Sequence, residues 1–265
     1  MTSSQSFDAD RSTPRGLLQT ADRALLILLG TDREHEGWSV TEVSHEFGFS
    51  ISVAHRLLAT LAHRGFLLSD PETKRYRIGP AAMTVGRIWT ESRSMRHLVD
   101  PILSDLAEET GLVAIFALPD TFHMRAVAAQ TGAGGPLREY PLIGELFPAH
   151  AGATSKAYYA HLPAAARRRL LHERPRARFT EATITEPDQL ETEFAKVRRQ
   201  GYAWTTGEYD AGVSTVAVLV RLRGEPFGSL SLGAPEEAFQ DVPDLVDRLR
   251  LSRARIEAAL SGART

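Results

Sequence analysis

Apolar positions recur along this chain at two different periods, and the change of period divides it. Near the start, "LLQTADRALLILLG" places Leu18, Leu25, Leu28 and Leu29 on one side of a helix, with Ala21 and Ala24 filling the same side. Gly30 and the polar stretch "TDREHEG" end it. A second helix is expected from about Val40 to Phe47, with Glu42 near its start, where the helix dipole favours an acid. In the following "FGFS", Gly48 takes backbone angles that other residues resist, and the Ser50 hydroxyl can accept an orphan amide of a third helix. That helix runs to about His63, with Ala54, Leu57, Leu58 and Leu61 as its apolar stripe. Two short runs, Phe66 to Leu68 and Arg75 to Ile78, flank the turn "SDPETK" and predict a hairpin with basic residues on its returning arm.

After Gly79-Pro80 the pattern is helical again to about Glu109, with a break expected at Asp100-Pro101, because the residue before proline resists helix. The period then shortens. "LVAIFALPD" and "FHMRAVAAQ" predict a β-hairpin, and "GAGGPLREYPLIGELFP" a loop with one short strand. Helices are expected in "AGATSKAYYAHLP", "AAARRRLLHER" and "EPDQLETEFAKVRRQG". "TVAVLVRLRGEPFGSLSLGAP" reads as a second hairpin, and "VPDLVDRLRLSRARIEAAL" as an amphipathic terminal helix. Strands, helices, then strands again predict an α+β fold on an antiparallel sheet. The domains expected are a mobile arm over 1–16, a winged helix-turn-helix over 17–80, a linker helix over 81–97 and a sheet domain over 98–265.

Composition excludes more than it identifies. Of the 265 residues 43% are hydrophobic and 24% charged, as in ordinary globular proteins. There is no cysteine, so no disulfide, thiolate metal site or cysteine nucleophile exists. No apolar run is long enough to span a bilayer, and residues 1–16 lack the apolar stretch of a secretory signal, so a cytoplasmic protein with no membrane partner is expected. Net charge is −2, yet between Ile51 and Arg96 eight basic residues stand against three acidic ones, a local excess of five. A basic segment on an otherwise acidic protein is the footprint of phosphate binding.

The helix-turn-helix gives that footprint a geometry, because the N-terminal end of such a second helix meets base edges in the major groove. From Ser50 onward the side chains outside the apolar stripe are Ser52, Val53, His55 and Arg56. Ser and Arg can hydrogen-bond to phosphates or bases, and Val can touch a thymine methyl. The hairpin brings Lys74, Arg75 and Arg77 to the backbone.

"SVTEVSHEFGFSISVAHRLLATLAHRGFLLSDPETKRYRIGPAAMTVG" resembles the DNA-binding domain of the IclR family of bacterial transcription regulators. The resemblance continues through "PAHAGATSKAYYAHLP", "QGYAWTTGEYDAGVSTVAVLV" and "FGSLSLGAP", and covers about Leu17 to Leu260. It implies a GAF-like C-terminal domain that binds a small effector, a homodimer or homotetramer, and a palindromic double-stranded operator. The function implied is that of a repressor of catabolic or metabolic genes. Ile51 and Val53 stand where many members carry a basic residue and a Thr, Ser155 replaces a Gly, and Thr205 and Gly207 replace acids.

By the same resemblance the effector pocket takes Ala153 and Thr154 at a helix start, Thr205, Val213 and Thr215 at the start of the late hairpin, and Ser231 and Gly233 on "SLSLG". Leu137 and Tyr140 line its loop side. Unpaired amides at the helix start would attract a carboxylate, and the hydroxyls would hold its other polar groups, so a small organic acid is expected. Lys156 reads as a structural or surface cation. His150 reads as bonded to backbone rather than to metal. No catalytic, cofactor or metal motif is present; in particular "GAGG" lacks the Lys-Ser/Thr of a phosphate loop. Two other readings remain open at this point: a small-molecule-binding enzyme, or a protein-interaction adaptor, either one with a winged helix that does not bind DNA.

Overall fold

A computed structural model describes residues 18–31, 37–91, 93–137, 142–172, 175–239 and 241–262. The arm expected over 1–16 and Tyr140 lie outside the described residues. By contacts the chain forms two compact units, Met1–Glu91 and Ser92–Thr265. None of the helices among the described residues is long and apolar enough to cross a membrane.

The first unit is the helix-turn-helix with its hairpin: α1 (Gln19–Leu29), α2 (Val40–Phe47), α3 (Ile51–His63), β1 (Leu67–Ser69), β2 (Tyr76–Ile78) and α4 (Pro80–Glu91). A capping box starts α2: Ser39 Oγ accepts the Glu42 amide at 3.2 Å, while Glu42 Oε2 accepts the Ser39 amide at 2.8 Å. Gly48, at φ 68°, makes the turn. Ser50 Oγ then accepts the Val53 amide at 3.3 Å and opens α3. The stripe expected on α3 is the buried one, and it closes a core with Ile27, Trp38, Val43 and Leu67. On α1 the apolar residues expected on one side divide, and Ala24 and Leu28 pack against this core. Ile27 is fully buried, whereas Leu18, Leu25 and Leu29 are 81%, 58% and 51% exposed. The helix is apolar on two sides, and periodicity alone does not say which one faces the core.

In the second unit α5 (Arg93–Thr110) runs through Pro101, so the break expected at Asp100-Pro101 is absent. Met95, Val99, Ile102, Leu103 and Leu106 are buried at unbroken helical spacing, and Pro101 itself is exposed. A proline inside a helix costs about 3 kcal/mol. Burying each of those side chains contributes roughly 1.5–3 kcal/mol, so the packing wins.

The strands β3 (Val113–Asp120), β4 (His123–Thr131), β5 (Leu146–Pro148), β6 (Ala203–Thr206), β7 (Val213–Leu222) and β8 (Glu225–Pro235) form a six-stranded sheet in the order β5-β4-β3-β8-β7-β6. All its pairs are antiparallel, and β3 beside β8 joins the two predicted hairpins. Helix α6 (Ala153–Tyr159) packs on β7 and β8, with α7 (Ala164–His172) and α8 (Pro187–Gln200) beyond it. Helix α9 (Val242–Leu260) packs on β7 and against α5.

Candidate DNA interface and ligand pocket

Helix α3 presents two kinds of surface. Its buried side is fixed by Leu57, Leu58 and Leu61, which leaves Ser52, His55 and Arg56 pointing to solvent. The Arg56 side chain has no hydrogen-bond or ion-pair partner among the described residues, and neither does that of Lys74 in the hairpin turn. Asp70 shapes that turn by accepting the amides of Glu72 and Thr73 at 2.9 and 3.2 Å. Hydrogen bonds from Thr73 hold its carboxyl below the ordinary aspartate range. Arg77 is half-exposed and lies 3.9 Å from the Asp70 carboxylate, a loose ion pair.

Two of the candidate contacts are turned inward. Val53 is half-buried and packs against the core. Arg75 donates to Gly37 O and to both oxygens of Glu42, the latter bonds at 2.9 Å. It therefore clamps the hairpin to α2 instead of reaching outward. The Glu42 carboxyl is held below its ordinary range, first by the Ser39 amide and then by Arg75. Ile51, a departure from the family pattern and not one of the expected contacts, stands on the first turn of α3 and is 53% exposed.

In the second unit a hollow opens between α6, the sheet and the loop before β5, with about 470 Å3 of empty space, part of it open to solvent. Among the expected residues Leu137, Thr154, Thr205, Val213 and Thr215 line it. Ala153, Ser231 and Gly233 do not. Ala153 is wholly buried, Ser231 Oγ accepts the Thr154 hydroxyl at 3.0 Å, and Gly233 lies under Leu137. A Cβ on Gly233 would come within 2.8 Å of Leu137 Cδ1, so the missing side chain lets the loop lie close on the sheet. Ile115, Leu142 and Phe147 complete the apolar wall, and Glu208, Tyr209 and Asp210 add polar groups on the β6–β7 side.

The helix-start amides are not free. The Gly152 amide donates to Glu208 Oε2 at 3.2 Å and the Ala153 amide to Thr205 Oγ1 at 3.0 Å. A carboxylate already occupies the place expected for the ligand's, and it belongs to the chain. Lys156 is wholly buried, which rules out a surface role, and its Nζ donates to Glu208 Oε1 at 2.5 Å. Two charges withdrawn from water are tolerable only when each is bonded to the other and to further polar groups, and the Gly152 amide supplies that second bond. Thr183 donates its hydroxyl to Glu208 O at 2.7 Å and so fixes the backbone of the same residue. The partners stand 52 positions apart, and no local spacing announces such a pair. His150 Nε2 lies 2.8 Å from Ala177 O, as expected, and burial lowers its pKa. Among the described residues no three His, Asp or Glu gather where a metal could sit.

Comparison with known proteins matches both units in order. Residues 7–71 fit the IclR helix-turn-helix domain, and residues 89–255 fit the bacterial transcriptional regulator IclR C-terminal domain. The transcriptional repressor IclR of Escherichia coli (strain K12) is 29% identical over 228 residues, covering 85% of this chain and 83% of that protein. An IclR transcriptional regulator from Alicyclobacillus acidocaldarius is similar in structure, with a TM-score of 0.59 at 25% identity over 93% of this chain and all of that one. An IclR homolog from Microbacterium hydrocarbonoxydans complexed with 4-hydroxybenzoate gives the same TM-score at 20% identity over 92% of this chain and 99% of that one, a likeness of fold. The chain is a DNA-binding transcriptional regulator with an effector-binding C-terminal domain, not an enzyme, and it belongs to the IclR family.

Proposed function

We propose that this regulator is a repressor of catabolic or metabolic genes that holds a palindromic operator through Ser50, Ser52, His55, Arg56, Lys74 and Arg77, and that a small organic acid releases it. One observation carries the DNA contacts: Arg56 and Lys74 are cations with no partner among the described residues, at the two places where a helix-turn-helix meets base edges and phosphates. The E. coli relative, itself named a repressor, supports the sign of regulation.

The operator is bound by a homodimer or by paired dimers. Leu18, which caps α1, and Leu25 and Leu29 on it share one exposed side of that helix, and α4 exposes Val85 and Ile88 on another. Exposed apolar surface of this kind is unfavourable in water and marks association. A second copy of the chain covers it.

The effector's carboxylate takes the Gly152 amide from Glu208 Oε2, while Oε1 stays on Lys156. The ligand's remainder lies on Ile115, Leu137, Leu142 and Phe147. The turn is suited to a carboxylate because one already bonds there. Binding shifts the population of conformers, and effector and operator affinities are reciprocally coupled.

Fluorescence anisotropy with labelled duplexes from the gene's own upstream region tests both halves. Sequence-selective binding that weakens steeply with salt is expected, followed by release on adding acids from a panel that includes 4-hydroxybenzoate. Failure to prefer any upstream fragment at low ionic strength would overturn the operator reading. Equal release by uncharged analogues such as 4-hydroxybenzyl alcohol would overturn the exchange of carboxylates.

A further inference from the structure

Ile51 is the first residue of α3 and more than half exposed, while the apolar side of the same helix is fully used by Ala54, Leu57, Leu58 and Leu61. More than half of its surface is left to water, which is unfavourable for an apolar group, and it is not among the residues packed against the core of this unit. Its neighbours on the outward side are Ser52, His55 and Arg56. With about 100° of turn per residue, Ile51 and His55 stand about 40° apart on the helix surface. An apolar group is thus set at the edge of a polar face, at the end of the helix that approaches base edges. The other β-branched side chain of this turn, Val53, is half-buried and packs against the core. Among base edges in the major groove the distinctive apolar group is the C5 methyl of thymine.

We propose that Ile51 is a specificity-determining residue of this regulator, whose side chain contacts a thymine methyl in each operator half-site. The inference rests on the DNA-binding reading above and adds a particular base preference to it. A residue that binds phosphate raises affinity for every duplex, whereas Ile51 discriminates between duplexes of equal charge.

The experiment uses the full chain and starts from a randomised duplex library, so the protein itself selects the sequences to be tested. Duplexes that it enriches are resynthesised with deoxyuridine in place of thymine, one position at a time. Uracil keeps every hydrogen-bonding edge and lacks only the methyl. At one thymine per half-site the affinity should fall about four-fold, the size expected for burying one methyl group. Ile51→Ala removes the contact in both half-sites at once, so it should lose about sixteen-fold on the thymine duplex and bind thymine and uracil duplexes alike, with an unchanged unfolding temperature because the side chain is exposed. Ile51→Val should keep part of the preference. Enrichment of duplexes in which no thymine-to-uracil change matters overturns the inference and leaves the DNA-binding reading intact, as does full thymine preference in Ile51→Ala. Enrichment of no duplex at all overturns both. The uracil scan of the unmodified protein involves no substitution and so does not depend on any variant folding.

Discussion

The outward face of α3 and the hollow beside α6 both carry polar side chains, but they treat them in opposite ways. On α3, Arg56 reaches solvent with no partner among the described residues, and in the hairpin turn Lys74 does the same. Around the hollow, Thr154 is bonded to Ser231, Thr205 to the Ala153 amide, and Glu208 to Lys156 and the Gly152 amide. The difference follows from the solvent each group sees. An exposed cation is stable in water alone and stays available to phosphate, whereas a group held away from water must be bonded within the chain. A ligand in the hollow therefore replaces existing bonds, while DNA at α3 adds new ones.

The largest effect that would break this contrast is at Lys156. Lys156→Met leaves Glu208 nearly buried without its cation, and the unfolding free energy of the full chain should fall by about 3–5 kcal/mol, read by denaturant titration. Adding Glu208→Gln to the same chain should restore most of the loss. A silent single variant would mean that the ion pair does not hold the hollow together. At Arg56 the reverse pattern is expected: Arg56→Ala should weaken operator binding by about 1–3 kcal/mol for each half-site, at least about five-fold, with the unfolding temperature unchanged.

Adjacent residues in the hairpin sharpen the comparison. Lys74→Ala should reduce the slope of log affinity against log salt by about one for each bound protomer, about two for a dimer, and leave stability alone. Arg75→Ala should lower stability by about 1–3 kcal/mol through loss of its bonds to Glu42 and Gly37, with the salt slope kept. Equal behaviour of the two variants would show that the clamp is not confined to Arg75. The smallest effect concerns pH. Because the folded-state pKa of Glu42 is depressed, its contribution is complete above about 4.3 and is lost as the pH falls through the lower folded value. The stability gap between the unmodified chain and Glu42→Gln should be widest at neutral pH and close in acid. A gap that does not change with pH would argue against the ion pair as its source.

Legibility in the sequence depended on whether the signal was local. Ser50, Gly48 and the Leu57, Leu58 and Leu61 stripe lie within a few residues of one another, so α3 and its cap were legible. The strand pattern of β7 and β8 was legible for the same reason. The buried side of α1 was not, because apolar residues occupy both sides and only the rest of the core selects Ile27. Pro101 misled because a local cost was outweighed by packing with β3, β4 and α9. In the pocket, Thr154 and Thr205 were found through resemblance, but Glu208 as partner of Lys156 depends on a contact across the fold. Lys74 and Arg75 look alike in sequence, and only the position of Glu42 separates the free cation from the clamped one.

Glu42 serves two structures at once, since it caps α2 through the Ser39 amide and ties down the hairpin through Arg75. Positions 42 and 75 are then coupled over evolutionary time: a lineage that loses the acid leaves the arginine without its anchor, whereas position 39 lends Glu42 only a backbone amide that almost any residue supplies. Among descendants of this gene, the acid and the arginine should be inherited or replaced as a pair, whatever operators those descendants have come to read.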